Sequence, residues 1–345
     1  MLAAMRRLPL LLASTLLFAG CGDDDGGRDA GTLDAGSGVD AGGEEDGGAT
    51  DAGGGEEDAG PEDAGPEDAG PPPNPLEGLG EVRTLDTGYM FLEGPVWRPG
   101  DGDLLFSDIP AQTIYRFAPP DTFEPFRTEQ DSNGLLLDLD GELLIAGHGG
   151  RAVWRLADGS LEVLAERFEG QRLHSPNDLD QRSDGTIYFT DPPFAVSPGD
   201  RELDFVGVFR IDPEGALTAE WRGALDTRPN GIALSPDEST LYVAESRDQV
   251  LYAFPVEAGG ALGEPATLAD TAPTGDGMAV DVRGNVYLTT REGVEVYAPD
   301  GTQWGTIEVP EVPANCAFGG AERQTLYITA RTGLYAVDTP LAGLP

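Results

Sequence analysis

The sequence has no lysine; all 21 of its basic residues are arginine. Schiff-base chemistry at an ε-amine and a phosphate loop built on lysine are therefore excluded. Histidine is almost as scarce. His148 and His174 are the only two, so neither a His-Glu-x-x-His helix nor a three-histidine zinc centre can be assembled. No Gly-x-Ser-x-Gly turn occurs, which removes the nucleophile elbow of serine hydrolases. Cysteine is limited to Cys21 and Cys316, too few for a disulfide framework. Cys316, followed by Ala317 and Phe318, reads as a small buried core residue. Helical periodicity is nowhere sustained, which disfavours helical solenoids. The apolar run from Leu8 to Gly20 falls short of the roughly 20 residues that a spanning helix needs.

That run instead has the flanks of an export signal: Arg6 and Arg7 before it, Ala19, Gly20 and Cys21 at its end. The segment Leu17-Phe18-Ala19-Gly20-Cys21 resembles a bacterial lipoprotein cleavage box. Residues 1–20 are expected to be a lipoprotein signal, removed before Cys21, whose thiol then carries lipid. The expected location is the bacterial cell envelope, periplasmic or surface-exposed, with membrane contact only through that lipid. Residues 21–75 follow as a linker in which Asp-Ala-Gly recurs at 29, 34, 40, 51, 58, 63 and 68. With hardly any apolar side chains, this linker is expected to be a disordered acidic tether.

Acid is what the sequence has in surplus. Residues 22–75 hold 17 acids and one base, and residues 76–345 hold 45 acids and 18 bases. The second segment therefore carries −27 of its own, which argues against any nucleic-acid partner. Its abundant Asp, Glu and Asn are the ligand types of hard cations.

A repeat organises residues 76–345. It runs Glu93-Gly94, Asn133-Gly134, Asn177-Asp178, Asn230-Gly231, Asp276-Gly277 and Asn315-Cys316, at spacings of 40, 44, 53, 46 and 39 residues. Each copy continues with an apolar stretch, a polar hairpin signal and an alternating strand, and a further strand pair follows. Four short strands per roughly 45 residues is the period of a propeller blade, so six copies predict an all-β, six-bladed β-propeller. Residues 82–85 form a strand with no blade of its own. They are predicted to close the ring by pairing beside residues 333–338 of the last blade, leaving no free edge.

The innermost strand of every blade lines the central channel, so the first residues of the six repeats converge there. Glu93, Asn133, Asn177, Asn230, Asp276 and Asn315 all end in carbonyl or carboxylate oxygen, the donor set of a hard divalent ion. Glu93, Asn177, Asn230 and Asp276 are the candidate metal ligands. Ca²⁺ is the expected ion, with Zn²⁺, Mn²⁺ and Mg²⁺ as alternatives.

The segments LEGPVW at 92–97, HSPNDL at 174–179, YFTDPPF at 188–194, RPNGIALSPDESTLYVAES at 228–246, GDGMAVD at 275–281 and NCAFGGAERQTLYITA at 315–330 together resemble the senescence marker protein, gluconolactonase and luciferin-regenerating-enzyme-like family, in its gluconolactonase-like branch. The resemblance implies a propeller holding a divalent ion, with lactone hydrolysis as the common activity. It places metal ligands at Glu93, Asn230 and Asp276, and a further metal- and substrate-facing asparagine at Asn177. Asp276 is the candidate general base, and His148, in GHGGRAV, a candidate acid–base group. Asn133 and Asp191 are candidate substrate contacts alongside Asn177. His174 is a candidate neighbour of Asn177, and residues 195–206 a candidate lid. The expected partner is a small lactone or ester, with sugar lactones foremost, and the expected state is a monomer. Phosphotriester or aryl-ester hydrolysis at the same site is one alternative; relatives with aryl-esterase activity carry histidine where this chain has Asn133. A non-catalytic, Ca²⁺-stabilised binding propeller is the other.

Overall fold

The computed structural model describes residues 74–345. The signal, Cys21 and most of the linker lie outside the described residues. The described part contains six antiparallel four-stranded sheets, each starting at one of the repeats. The first blade runs Leu92–Arg98, Asp103–Asp108, Thr113–Ala118 and Thr122–Thr128. The second to fifth have the same meander, with inner strands Leu135–Leu137, Leu179–Gln181, Pro229–Leu234 and Met278–Val280. The only helical turn among the described residues is the 3₁₀ segment Pro198–Asp200. A short ribbon, Arg167–Phe168 with Gln171–Arg172, is an addition that the repeat did not announce.

The sixth blade is composite. Asn315–Gly319, Thr325–Ala330 and Gly333–Asp338 supply its three inner strands, and Arg83–Thr87 pairs antiparallel with Gly333–Asp338 as the fourth. The expected closure is observed, with the added strand reaching Thr87. Joining the two ends of the domain consumes the edge that an open sheet would present. Arg83 also makes a bidentate pair with Asp338 at 2.6 and 3.0 Å. Both side chains are about half exposed, so the pair adds little beyond the ladder itself.

Side-chain alternation divides each blade between its two neighbours. Leu104 and Phe106 pack against Tyr327 and Leu334 of the sixth blade, whereas Leu105, between them, packs against Leu135 and Ile145 of the second. Tyr188 and Val208 likewise join Ile232, Leu241 and Val243 of the fourth blade. Phe189 and Phe209 turn instead to Leu144 and Val153 of the second. Six such clusters, one per blade interface, replace a single central core. Each buried aliphatic or aromatic side chain in these clusters contributes about 1.5–3 kcal/mol. Cys316 lies in the fifth–sixth interface, its Sγ 3.3 Å from the Tyr287 carbonyl oxygen. Burial pushes its thiol pKa up, consistent with an inert core residue.

Glycine at the second position of the repeat lets the inner strands approach the axis. A Cβ on Gly231 would overlap the carbonyl oxygen of Asp276 and lie 2.7 Å from the Gly277 Cα. On Gly277 it would overlap the Asn315 side chain, and on Gly94 the Asn133 carbonyl oxygen. Gly231→Ala is expected to destabilise the protein by about 1–3 kcal/mol through overpacking. Gly100→Ala, where an added Cβ meets nothing within 4 Å, should stay within about 0.5 kcal/mol of the parent. Urea denaturation of the two variants side by side measures the contrast; equal stability of both would remove the close-approach role.

Candidate active site in the central channel

The first residues of the six repeats do meet. Glu93, Asn133, Asn177, Asn230 and Asn315 are all buried. Their backbones interlock from blade to blade: the Gly134 N–H donates to the Asn177 carbonyl at 2.8 Å, and the Thr190 hydroxyl donates to the Asn230 carbonyl at 2.6 Å. The Thr289 hydroxyl lies 2.7 Å from the Gly277 carbonyl and 2.9 Å from that of Ala314. These contacts fix the ring's backbone and leave its side chains for the channel.

Asp178 adds a carboxylate that the reading of first positions overlooked. It occupies the second position of its repeat, where four other repeats carry glycine, and its carboxylate reaches the Asn315 amide nitrogen at 3.4 Å. The signal was present in the sequence as the one acid in that column. The three channel acids repel one another. Burial, reinforced by Asp276, holds the Glu93 carboxyl well above the usual range. Burial and Glu93 do the same for Asp178. Asp276 is pushed up to about 8 by burial and by Asp178. Hydrogen bonds from Asn315 and Asn230 oppose these shifts, and none of the charged groups acting on the three is basic.

Neutral acceptors add to this excess. The Asn133 and Asn230 Oδ1 atoms are buried without a hydrogen-bond partner. Asn230 is oriented from behind: its Nδ2 donates to the Ser246 hydroxyl at 2.9 Å, and that hydroxyl donates to the Gly275 carbonyl at 2.6 Å. A buried set of carboxylates and amide oxygens with no opposing charge has the donor chemistry of a hard cation site. Among the described residues no group of three or more His, Cys, Asp or Glu side chains is placed to hold a metal ion; the two acids Glu93 and Asp276 share their ring with four asparagines.

Beyond Asp178 and Asn315 the channel widens into a cavity of about 680 Å³, whose walls combine Leu135, Ile232 and Phe318 with Asp138, Asp180 and Glu238. Glu93 and Asp276 do not line it. The first residues of the repeats stand at the opposite end, the mouth, where the second strand of each antiparallel blade finishes.

His148, Asp191 and Ser246 lie at that end, at or just past the strands Leu143–Gly147, Ile187–Asp191 and Thr240–Glu245. His148 stacks on Phe194 with ring centroids 6.5 Å apart. Burial lowers its pKa to about 4, against the pull of Asp131, so the imidazole is neutral at physiological pH. Asp191 is fully buried and accepts from the His174 N–H at 2.8 Å. Its Oδ1 has no partner, and burial raises its pKa to about 7. His174 is also fully buried, with Nε2 2.9 Å from the Phe205 carbonyl oxygen. That contact makes it a brace of the loop before Asn177. The candidate lid, residues 195–206, is anchored by buried Val196, Leu203 and Phe205, the last two packed in the interface between the second and third blades.

The family model described as the SMP-30/Gluconolactonase/LRE-like region matches residues 91–332. A gluconolactonase of Zymomonas mobilis is 32% identical over 296 residues, 76% of this chain and 82% of the relative. A pentonolactonase of Haloferax volcanii is 30% identical over 262 residues, 73% of this chain and 85% of the relative. Among solved structures, a gluconolactonase from Xanthomonas campestris superposes with a TM-score of 0.71 at 33% identity, covering 76% of this chain and 90% of its own. The family match spans the first five blades, the two innermost strands of the sixth and every channel residue described above, and the chain belongs to the SMP-30/gluconolactonase/LRE-like family.

Proposed function

We propose that the protein is a divalent-metal-dependent lactonase that opens sugar lactones at the mouth of its channel. The observation that carries this reading is the uncompensated cluster of buried Glu93 and Asp178 and part-buried Asp276 beside the unpartnered oxygens of Asn133 and Asn230. The relatives named as lactonases support the reaction class.

Glu93, Asn177, Asn230 and Asp276 would hold the cation, with Ca²⁺ the first choice for an all-oxygen site. When bound, the ion would supply Lewis-acid polarisation and the positive charge that keeps the carboxylates ionised. Asp276 is the general base, taking a proton from the water that attacks the lactone carbonyl. The ring C–O bond then breaks, and the product is the open hydroxy acid. The Asn133 and Asn177 amides donate to the lactone's oxygens and orient it. Neutral His148 and the Asp191 carboxyl bind the substrate hydroxyls at the mouth; the proton that Asp276 took from water passes to the departing ring oxygen, with His148 as the acid–base relay that accepts and returns it. We also infer that export and lipidation at Cys21 place this activity, as a monomer, in the cell envelope.

Replacing Asp276 by Ala is expected to reduce hydrolysis of glucono-1,5-lactone at least 10²-fold, as loss of a general base does. Rates are followed by pH indicator with spontaneous opening subtracted, on native, EDTA-stripped and Ca²⁺-restored protein. Activity should vanish with EDTA and return with Ca²⁺, and the melting temperature should fall and recover in parallel. Near-parental turnover in the Asp276 variant, or indifference to EDTA, would overturn the assignment.

Ser246→Ala tests the support of Asn230 separately. Losing the hydroxyl that orients a ligand typically weakens metal affinity 10–100-fold. The expectation is a Ca²⁺ affinity reduced about tenfold with the fold retained, read by calorimetry. Unchanged affinity would show that Ser246 does not set the ligand.

A further inference from the structure

Three arginines at the mouth are spent on no carboxylate. Acids outnumber bases 45 to 18 in residues 76–345, so an arginine there has abundant opportunity for an ion pair, and eight take it within 4 Å. Arg151, Arg201 and Arg228 do not. Arg151 is held by backbone carbonyls, with Nε on Leu173 at 2.7 Å and Nη1 on Asp200 at 3.3 Å, while its Nη2 is buried with no partner. Arg201 has one long contact, from Nε to the Val196 carbonyl at 3.5 Å. The Arg228 guanidinium donates to the carbonyls of Leu225 and Thr227 at 3.2 and 2.7 Å.

Their placement ties them to the site. Arg228 stands two residues before Asn230, at the mouth end of its strand. Arg151 grips the carbonyl of Leu173, at the head of the segment leading to Asn177, and follows His148 by three residues. Arg201 comes directly after the 3₁₀ turn whose last carbonyl Arg151 holds. Arg201 adds to the burial that lowers Arg228, and Arg151 and Arg201 both add to the burial that lowers His174, so Arg201 lies within electrostatic reach of Arg228 and shares His174 with Arg151. Acids are present nearby, with Asp191, Asp200 and Glu202 acting on Arg151 and Glu245 and Asp226 on Arg228. None of them closes an ion pair with these three. Gathering like charges and leaving a buried guanidinium N–H without a partner is costly, and an incoming oxyanion would offset that cost.

Resting on the lactonase reading, we propose that the preferred substrate is an anionic sugar lactone, whose exocyclic carboxylate or other oxyanion is bound by Arg151, Arg201 and Arg228 while its ring carbonyl faces the channel. Guanidinium groups suit this task because they pair with carboxylate and phosphate in a planar fork. The acidic body does not prevent it. Its surface charges are screened beyond a Debye length of about 8 Å, whereas the three arginines act at contact distance.

The test compares D-glucaro-1,4-lactone with D-glucono-1,4-lactone, which differ in carrying a carboxylate or a hydroxymethyl group at carbon 6. A 6-phosphogluconolactone arm separates phosphate from carboxylate recognition. The Ca²⁺-loaded parent should show a kcat/KM at least tenfold higher for glucarolactone, expressed mainly in KM. Arg201→Gln and Arg228→Gln should each cut that preference about tenfold, with the melting temperature confirming the fold. Parent enzyme that opens both lactones equally, or variants that keep the preference, would overturn the anion site while leaving the lactonase reading intact. Calorimetric binding of D-glucarate against D-gluconate covers the remaining case. If no lactone is opened, tighter, arginine-dependent binding of glucarate would uphold the anion site and sink the lactonase reading; equal binding would sink both.

Discussion

Three carboxylates share a buried space that contains no opposing charge. Glu93, Asp178 and Asp276 each sit well above their ordinary pKa because burial and mutual repulsion both penalise ionisation. The fold does not relieve this arrangement; it enforces it. Six inner strands converge because glycines such as Gly94, Gly231 and Gly277 let one backbone rest on the next. The apolar core is displaced into six interfaces away from the axis. Strain concentrated at one point and stabilised by everything around it is the usual mark of a ligand site.

The two ends of the channel differ. The cavity beyond Asp178 and Asn315 mixes aliphatic walls with Asp138, Asp180 and Glu238. The other end gathers neutral His148, the buried Asp191 carboxyl, and arginines held by backbone carbonyls. The proposed sugar lactone would meet this second environment. On the proposed reading, specificity would rest on rim residues and the chemistry on the axial ring.

Much of this was legible in the sequence because it repeats. Six copies of an Asx-or-Glu phrase at blade spacing announce both the sheet count and the six axial positions. The orphan strand before the first copy announces the closure beside Gly333–Asp338. Less legible were features that exist only between distant residues. Asp178 meets Asn315 across 137 positions, and Ser246 orients Asn230 from a different strand. The arginines of the mouth lie on three unrelated loops, and nothing local distinguishes them from surface charge. The anchoring of 195–206 was hidden for the same reason: Leu203 and Phe205 look like loop residues until they meet Phe168 and Phe209.

The central claim is that the channel holds one divalent cation on carboxylate and amide oxygens. Calorimetric titration of Ca²⁺ into the chelator-stripped full chain tests it most directly, run beside a Glu93→Gln/Asp276→Asn double variant that keeps the side-chain volumes and removes the charges. The account predicts one high-affinity site per chain in the parent and none in the double variant, with any weak binding to the acidic linker unchanged. High-affinity binding that persists in the double variant, or is absent from the parent, would contradict it.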